Sequence, residues 1–209
     1  LYYQTPVYRS IYLNTNRLED PEDLFEEGEG QVGNATIGAE RTQDYSVAFN
    51  VQVGESWAYS FAAWVRDMDQ MTRYSHERSG VYSYQISTNG DYGSARGLDL
   101  TLEWRRAFFG SQLQYSYSIS KANSEYAWAS ISGQYVDAPS QEFTTYFDRP
   151  HSLTYYAYTF LPFGIQAGLT ANYQSGYPYT PIIFRGKDPV ADERNRNSKR
   201  GPGYKNVNI

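Results

Sequence analysis

The stretch that decides the fold runs from Tyr45 to Val65 and reads YSVAFNVQV-GES-WAYSFAAWV. In its first segment the odd positions are aromatic or β-branched and the even positions are small or polar. After three turn residues the odd positions are again apolar. Successive side chains of a strand point to opposite faces of a sheet. The pattern therefore predicts two antiparallel strands, each with one apolar face, joined as a hairpin.

The same alternation recurs twice along the chain. Leu98–Trp104 and Leu113–Ile119 form a second pair of alternating segments, and Ile165–Gln174 is the clear return strand of a third. In Ser152–Phe160, which precedes that return strand, Tyr occupies both parities, so the sequence does not assign its apolar face. A weaker first strand is predicted near Val7–Leu13 and a last one from Tyr204, which makes about eight strands.

The connections between these strands are asymmetric. Short turns at residues 54–56, 106–110 and 161–164 lie on one side, and long loops rich in Ser, Asn, Gly and charge lie on the other. Outer-membrane β-barrels are built in this way, with a wet interior that tolerates the Gln, Asn, Thr and Asp found on the second face. A soluble β-sandwich also has alternating strands and is the alternative. Beside the short turns, the aromatic residues expected at a membrane interface are Trp57, Tyr59, Trp104 and Phe160.

Composition restricts the function further. The chain has 22 Tyr and no Cys, so disulfides, thiolate metal sites and cysteine nucleophiles are excluded. The net charge of −5 argues against nucleic acid as a partner. No run of about 18 apolar residues is present, which excludes a transmembrane helix.

Five segments resemble a known family. These segments occur in the following order: Glu-Arg-Thr at residues 40–42, aromatic-x-Arg-Asp at 64–67, Asn-Gly at 89–90 followed by Arg-Gly-x-acidic at 96–99, Asp-x-x-His at 148–151 and Ser-Gly-x-Pro-Tyr-Thr at 175–180. They resemble segments of the C-terminal barrel half of TonB-dependent outer-membrane receptors, and the resemblance extends from about residue 33 to residue 209. Physically, Gly97 permits close strand approach, and Gly176 and Pro178 end a strand. We interpret the segments as determinants of the fold rather than as binding residues.

The resemblance implies a barrel of about 22 strands with an N-terminal plug in a bacterial outer membrane, in contact with lipid and lipopolysaccharide. It implies energised uptake of a small ligand, such as a siderophore or a glycan, driven by the TonB complex acting on the plug. Residues 1–209 are then expected to be the C-terminal portion of the barrel, an open sheet without the plug, the N-terminal strands and the final strand. Its edge strands are expected to pair with polypeptide outside this range. Two other functions stay open: a scaffold subunit of an outer-membrane complex, and a secreted carbohydrate-binding sandwich.

Candidate site residues all lie in loops or at strand starts. No cofactor and no dedicated metal site are predicted. No catalytic group is predicted either, because His76 and His151 are far apart in the sequence and His151, beside Asp148, is expected to make a structural hydrogen bond. An enzyme is therefore not expected. The loop residues form three groups: a solvated loop is favoured over a binding role for the acidic and basic groups, and packing between loops is an equal alternative for the aromatic group. An acidic run offers weak Ca²⁺ ligands in Glu19, Asp20, Glu22 and Asp23; a basic stretch offers anion ligands in Arg185, Arg194 and Arg196; and an aromatic group, Tyr126, Trp128 and Tyr135, could stack on a ligand.

Overall fold

The computed structural model describes residues 1–14, 30–79, 82–123, 129–131, 134–136 and 142–209. Ten strands form the main sheet, and β1 and β16 are the two ends of its strand order, so the sheet is open. The short strands β2 (Gln31–Val32) and β9 (Phe143–Thr144) pair with β5 and β6 outside the main order. In spatial order the main strands are β1 (Tyr2–Gln4), β3 (Glu40–Val53), β4 (Trp57–Ser79), β5 (Tyr82–Arg106), β6 (Phe109–Ala122), β10 (His151–Phe160), β11 (Gln166–Gln174) and β16 (Tyr204–Asn208).

The remaining elements are small. Three two-stranded sheets pair β7 (Ala129–Ile131) with β8 (Gln134–Val136), β12 (Pro178–Tyr179) with β15 (Lys199–Arg200), and β13 (Ile182–Arg185) with β14 (Asp188–Ala191). Helix α1 comprises Tyr8–Tyr12, and short 3-10 helices occur at Pro162–Gly164 and Glu193–Asn195. Within the described residues, no helix has the length and apolarity that a membrane span requires.

The strand predicted near Val7–Leu13 is wrong, whereas the other seven predicted strands are observed. This segment forms α1, in which the Leu13 amide donates to the Arg9 carbonyl at 3.1 Å. The rings of Tyr8 and Tyr12 lie 4.7 Å apart, because residues four apart are neighbours on a helix surface. The edge strand is instead β1, which pairs antiparallel with residues 40–42 of β3.

Contacts divide the chain into two compact units. Unit 1 comprises Leu1–Gln43, Asp67–Ser94 and Ala122–Phe143, and contains β1, β2 and α1. Unit 2 comprises Asp44–Arg66, Ala95–Lys121 and Thr144–Ile209, and contains all of β10, β11 and β16.

Few large apolar side chains are buried. The buried hydrophobic residues among those described are Val32, Phe143 and Ala157. By contrast, the apolar face of β3 in unit 2 is exposed, with Tyr45 at 64% and Phe49 at 61%. A soluble sandwich buries the alternating apolar face of each strand against a second sheet. The exposure of this face is therefore the opposite of what the sandwich alternative requires.

The register of β10 assigns the face that the sequence left open. Leu153 pairs with Tyr115 of β6 on one side and with Tyr173 of β11 on the other. Directly paired residues share a face of the sheet. Leu153 and Tyr155 therefore belong to the apolar face, whereas Tyr156 and Tyr158 lie on the polar face.

Candidate functional site

The apolar face of unit 2 ends in a row of aromatic rings beside the short turns. Trp57 stacks on Trp104 of the neighbouring strand, with ring centroids 5.5 Å apart, and on Tyr59 at 6.2 Å. Phe109 continues the row, with its ring 5.0 Å from that of Trp104. A Trp and Tyr border on an apolar band is typical of a lipid–water interface. Three of the four predicted interface aromatics thus form one cluster on one face.

Phe160, the fourth predicted interface aromatic, lies on the other face. Thr159 pairs with Phe109, so Thr159 shares the face of the aromatic row. Phe160 pairs with Gln166 of β11 and therefore belongs to the polar face, where its ring lies edge-on to Tyr158 at 5.7 Å. The prediction grouped it by distance from the turn alone, and the side-chain period of two separates it from Trp57 and Trp104.

On the polar face of unit 2, Asp99 binds groups from two neighbouring strands. Its carboxylate accepts hydrogen bonds from Trp64 Nε1 at 2.9 Å and from Ser116 Oγ at 2.6 Å. Gly97 makes this arrangement possible, since a Cβ added there would lie 2.6 Å from Cζ2 of Trp64. The aromatic-x-Arg-Asp and Arg-Gly-x-acidic segments of the sequence therefore meet in one cross-strand contact, which we call the Trp64 bridge.

Other polar side chains on this face are also paired across strands. Arg66 donates to Asp44 at 2.9 and 2.6 Å, and Gln112 donates to Glu103 at 3.0 Å. Thr154 donates to Asn172 at 3.1 Å. Each carboxylate and amide in these three pairs therefore has a hydrogen-bond partner.

At the long-loop end of unit 2, Asp148 anchors the final loop. Its side chain is 1% exposed and accepts a hydrogen bond from the Ser120 amide at 2.7 Å and an ion pair from Arg200. The same guanidinium donates to the Asp148 carbonyl at 2.9 Å. Gly176 lies against this site, and a Cβ there would collide with the carbonyl of Gly201. We call these contacts the Asp148 anchor.

Further contacts join the same two sequence segments. The amide of His151 donates to Ser175 Oγ at 3.0 Å, and the Ser175 amide returns a bond to the His151 carbonyl at 2.8 Å. The guanidinium of Arg149 lies 3.7 Å above the ring of Tyr177. The His151 ring shares a 2.8 Å hydrogen bond between Nδ1 and the Tyr115 hydroxyl. His151 therefore makes a side-chain hydrogen bond, and its partner is Tyr115 rather than the nearby Asp148.

Unit 1 contains an equivalent cluster around Asn89. Gln70 adopts a left-handed conformation with φ of 55°, and its carbonyl accepts a 2.7 Å hydrogen bond from Asn89 Nδ2. Asn89 Oδ1 also accepts from the Gly38 amide at 2.7 Å. The amide of Thr72 donates to Glu40 at 2.9 Å, which ties the Glu-Arg-Thr segment to β4.

Arg41 and Asp69, also in unit 1, form an ion pair with two donors. Arg41 Nε donates to Asp69 Oδ1 at 2.8 Å, and Arg41 Nη2 lies 2.5 Å from Oδ2. The hydrogen bond from Arg41 lowers the pKa of Asp69 and raises that of Arg41. Both residues lie beyond the apolar stretch that begins at Tyr45, so the pair is in the polar part of the strands.

The predicted ligand and metal residues lie mostly in parts of the loops that the structure does not describe. Glu19, Asp20, Glu22 and Asp23 lie outside the described residues, as do Tyr126 and Trp128 and the side chains of Tyr135 and Arg185. Arg194 is exposed, as expected for a loop cation. Arg196 is only 8% exposed, because the adjacent Asn197 binds the Thr144 carbonyl at 2.7 Å and draws this part of the loop inward. Among the described side chains, no group of three acidic or histidine residues could hold a metal.

Sequence reasoning missed the roles of Arg200, Asn197 and Asn89. Their partners lie 52, 53 and 51 residues away in the chain, so no local pattern marks them. The only signal was indirect, since Asn89 and Asp148, the partner of Arg200, each belong to a segment singled out by its resemblance.

Comparisons with known proteins agree with this architecture. No protein-family model and no curated protein matches the sequence. Among solved structures, the outer membrane transporter YddB from Escherichia coli superposes with a TM-score of 0.60 at 13% identity, covering 79% of this chain and 24% of that one. The FrpB iron transporter from Neisseria meningitidis gives 0.53 at 13% identity, covering 82% and 24%.

The fold is that of an outer-membrane barrel segment. This segment spans about a quarter of the length of each neighbour. At 13% identity the likeness concerns the fold, and it agrees with the open antiparallel sheet described above.

Proposed function

We propose that this chain forms part of the wall of a TonB-dependent transport barrel in a bacterial outer membrane. The apolar face of unit 2 lies in lipid, and the polar face lines the passage through which a ligand enters the cell. The observation that carries the proposal is that residues 45–53 and 57–65 expose their apolar face, while the polar pairs Trp64 with Asp99 and Arg66 with Asp44 lie on the opposite face.

Energetics support a lipid environment for the exposed face. Val47, Phe49 and Val51 are 53–61% exposed, and Leu98 and Leu100 on β5 are 44% and 40% exposed. Soluble monomers rarely expose contiguous apolar patches above a few hundred Å². Exposing apolar surface to water costs about 25 cal/mol of free energy for each Å². A hydrocarbon environment removes this cost.

The length of the strands also supports a membrane-spanning wall. β4 has 23 residues and β5 has 25. A transmembrane strand needs about 9–11 residues. Both strands are therefore longer than a crossing of the bilayer requires.

The rest of the transporter lies in polypeptide outside residues 1–209 under this proposal. The plug, the TonB-contacting segment and the remaining wall strands would close the barrel against β1, β3 and β16. Residues 44–53 of β3 lie in the apolar band, and pairing with β1 reaches only residues 40–42. In hydrocarbon an unpaired strand edge leaves backbone groups unsatisfied at a cost of several kcal/mol each.

The substrate is a small ligand of the siderophore or glycan class, taken up with energy from the inner membrane. Where the bases of the long loops are described, hydrogen bonds within the chain hold them in place. Such an arrangement suits a rigid barrel end that carries loops of variable sequence. A scaffold subunit is the second candidate, and the same rigidity supports it. Deleting the gene and measuring growth on a panel of ferric siderophores and glycans, with and without TonB, separates the two. TonB-dependent loss of growth on one substrate supports a transporter, and unchanged growth on all of them supports a scaffold.

The membrane assignment is tested with single cysteines, because the native chain contains none. We expect Leu100→Cys in membranes to react poorly with a charged maleimide and well with a lipid-soluble one. The matched variant Thr101→Cys, on the polar face of the same strand, should react with the charged reagent. Equal labelling of both variants by the charged reagent in intact vesicles would contradict the proposal.

A further inference from the structure

The hairpin of β13 and β14, in unit 2, is apolar on both faces. Ile182 and Phe184 on one face are 68% and 74% exposed, and Ile183 on the other face is 37% exposed. The positions of β14 that pair with them are also apolar, namely Pro189, Val190 and Ala191. A two-stranded hairpin is at best marginally stable in water and gains stability from a further strand. Among the described residues, β13 pairs with β14 alone.

The outer edge of β13 presents backbone groups that the hairpin does not use. The Asp192 amide donates to the Pro181 carbonyl at 2.8 Å, so these two residues bond to each other at the base of the hairpin. In an antiparallel pair, residues that bond to the partner strand alternate with residues whose backbone groups point away from it. Ile183 therefore bonds to β14, and the N–H and C=O groups of Ile182 and Phe184 point outward.

The outer edge of β14 is interrupted by a proline. Pro189 pairs with Phe184, so it occupies an outward-facing position of β14. Proline has no N–H, and proteins use it on exposed edges to prevent a further strand from pairing. The two edges of the hairpin therefore differ, because the edge of β14 is protected and that of β13 is open.

The open edge of β13 is complementary to itself. When two copies of β13 pair antiparallel about Ile183, Ile182 of each copy lies opposite Phe184 of the other, and the outward backbone groups meet. A β-branched side chain opposite an aromatic one is a favourable cross-strand pair. Arg185 falls opposite Pro181 of the second copy, so this pairing does not place like charges together.

We propose that the open edge of β13 is a self-association surface, through which two copies of this chain form one four-stranded sheet at the long-loop end. Pairing of β13 with β14 of a further copy would extend without closing, and Pro189 opposes it. Pairing through β13 alone instead gives a closed, two-fold dimer.

The size of the paired segment makes this association depend on the membrane. Three paired residues bury far less than the roughly 1,200 Å² of a stable interface between soluble proteins. Confinement of both copies to one membrane plane raises their effective concentration and favours the dimer. In this respect the inference rests on the proposed membrane location.

Single cysteines test the pairing in isolated outer membranes, because the native chain has none. Ile183→Cys places two thiols opposite each other at a position where Cα atoms are about 4.5 Å apart, within the range that a disulfide spans. Val190→Cys is the matched control, because Val190 pairs with Ile183 and is 36% exposed against 37%. Under mild oxidation we expect Ile183→Cys to form covalent dimers about tenfold faster than Val190→Cys. Equal rates would show that random collisions link the thiols and would overturn the dimer.

A second substitution tests the backbone edge itself. Ile182→Pro, added to Ile183→Cys, removes an outward N–H but none of the bonds within the hairpin, and it should lower dimer formation to the rate of Val190→Cys. Ile182→Val keeps the N–H and should form dimers as fast as Ile183→Cys alone. Unchanged dimer formation in the proline variant would overturn strand pairing. A covalent adduct of Ile183→Cys with another protein, in place of the dimer, would overturn the second copy as the partner.

Folding and location are read separately, so that failure of this inference is distinguishable from failure of the proposed function. Each variant is first checked for heat-modifiable migration and for recovery in the outer-membrane fraction. If Ile183→Cys passes both checks and forms no dimer, only the self-association surface is overturned. Absence of the native protein from the outer membrane overturns the proposed function itself.

Discussion

The indole of Trp64 lies directly against Gly97 of the neighbouring strand, leaving no room for a side chain at residue 97. The same indole donates to Asp99, so one contact fixes both the spacing and the polar pairing of β4 and β5. A methyl group at residue 97 would push Trp64 away and break its hydrogen bond.

Gly97→Ala should therefore destabilise the sheet by about 1–3 kcal/mol, the usual cost of overpacking. Urea titration of the protein in liposomes measures this change. Gly168→Ala is the matched control, because the nearest atom to its added Cβ is the Ala157 carbonyl oxygen at 3.8 Å. Equal effects of the two substitutions would show that the Trp64 contact does not limit packing.

The lipid-facing assignment of β5 predicts an asymmetry between adjacent residues. Leu100→Arg should cost about 2–4 kcal/mol near the middle of the bilayer. Thr101→Arg should have a much smaller effect, because residue 101 belongs to the hydrated face. Barrel assembly and urea titration in liposomes report both. A larger loss of stability for Thr101→Arg than for Leu100→Arg would show that the assignment of the two faces is the wrong way round.

We expect the ion pair between Asp148 and Arg200 in the Asp148 anchor to stabilise the long-loop end of unit 2. Asp148→Asn leaves the shape of the site intact but removes the charge that binds Arg200, and we expect a loss of about 1–3 kcal/mol. Faster proteolysis of residues 176–203 would report local release of the loop. Asp188→Asn, at an exposed position in the same loop, should leave the cleavage rate unchanged.

The Arg41–Asp69 pair predicts a specific pH dependence. Folding lowers the pKa of Asp69, so the stabilisation is fully present above the ordinary carboxyl pKa of 3.8 and is lost as the pH falls through the lowered value. An NMR titration of the Asp69 carboxyl should show Arg41→Gln returning its pKa toward 3.8. Arg66→Gln, which removes the partner of Asp44, should leave Asp69 unchanged. Salt should weaken the effect, because both side chains are partly accessible to solvent.

The sidedness of the wall is tested with trypsin added to intact cells. We expect cleavage in the basic loop after Lys187 or Arg194, both of which are exposed. Arg105 and Arg106, at the short-turn rim, should be cut only after the outer membrane is breached. Cleavage at Arg106 in intact cells would show that the topology is inverted.

The sequence predicted strands best where the two faces differ most. In β3 the apolar alternation marks residues 45–53, whereas the first residues of the strand, 40–44, carry charge on both faces and were not assigned. β4 and β5 extend well beyond the predicted 57–65 and 98–104 for the same reason. Where a strand extends beyond the hydrocarbon, both of its faces are in contact with water. Apolar and polar residues then need not alternate, so the local sequence pattern no longer identifies the strand.

The face assignment of β10 and the side-chain clusters could not be predicted from local sequence, because they depend on contacts between residues that are distant in the chain. The parity of β10 is ambiguous in Tyr155, Tyr156 and Tyr158, and only pairing with β6 and β11 resolves it. The Asp148 anchor joins residues 52 positions apart. Two of the resembling segments meet in the Trp64 bridge, and two others are bonded to each other through His151 and Ser175, so these segments contribute to the packing of the sheet.

The hairpin of β13 and β14 is closed at its own base by the Asp192 amide, which donates to the Pro181 carbonyl at 2.8 Å. Thr180 and Asn197, just outside it, are bonded to each other at 3.1 Å. Residues 182–191 therefore form a cassette whose ends are fixed independently of its contents. Under the proposed topology, changes within this cassette alter the long-loop end without altering the wall. Grafting a foreign hairpin between Pro181 and Asp192 should accordingly yield barrels that assemble normally and display a new epitope.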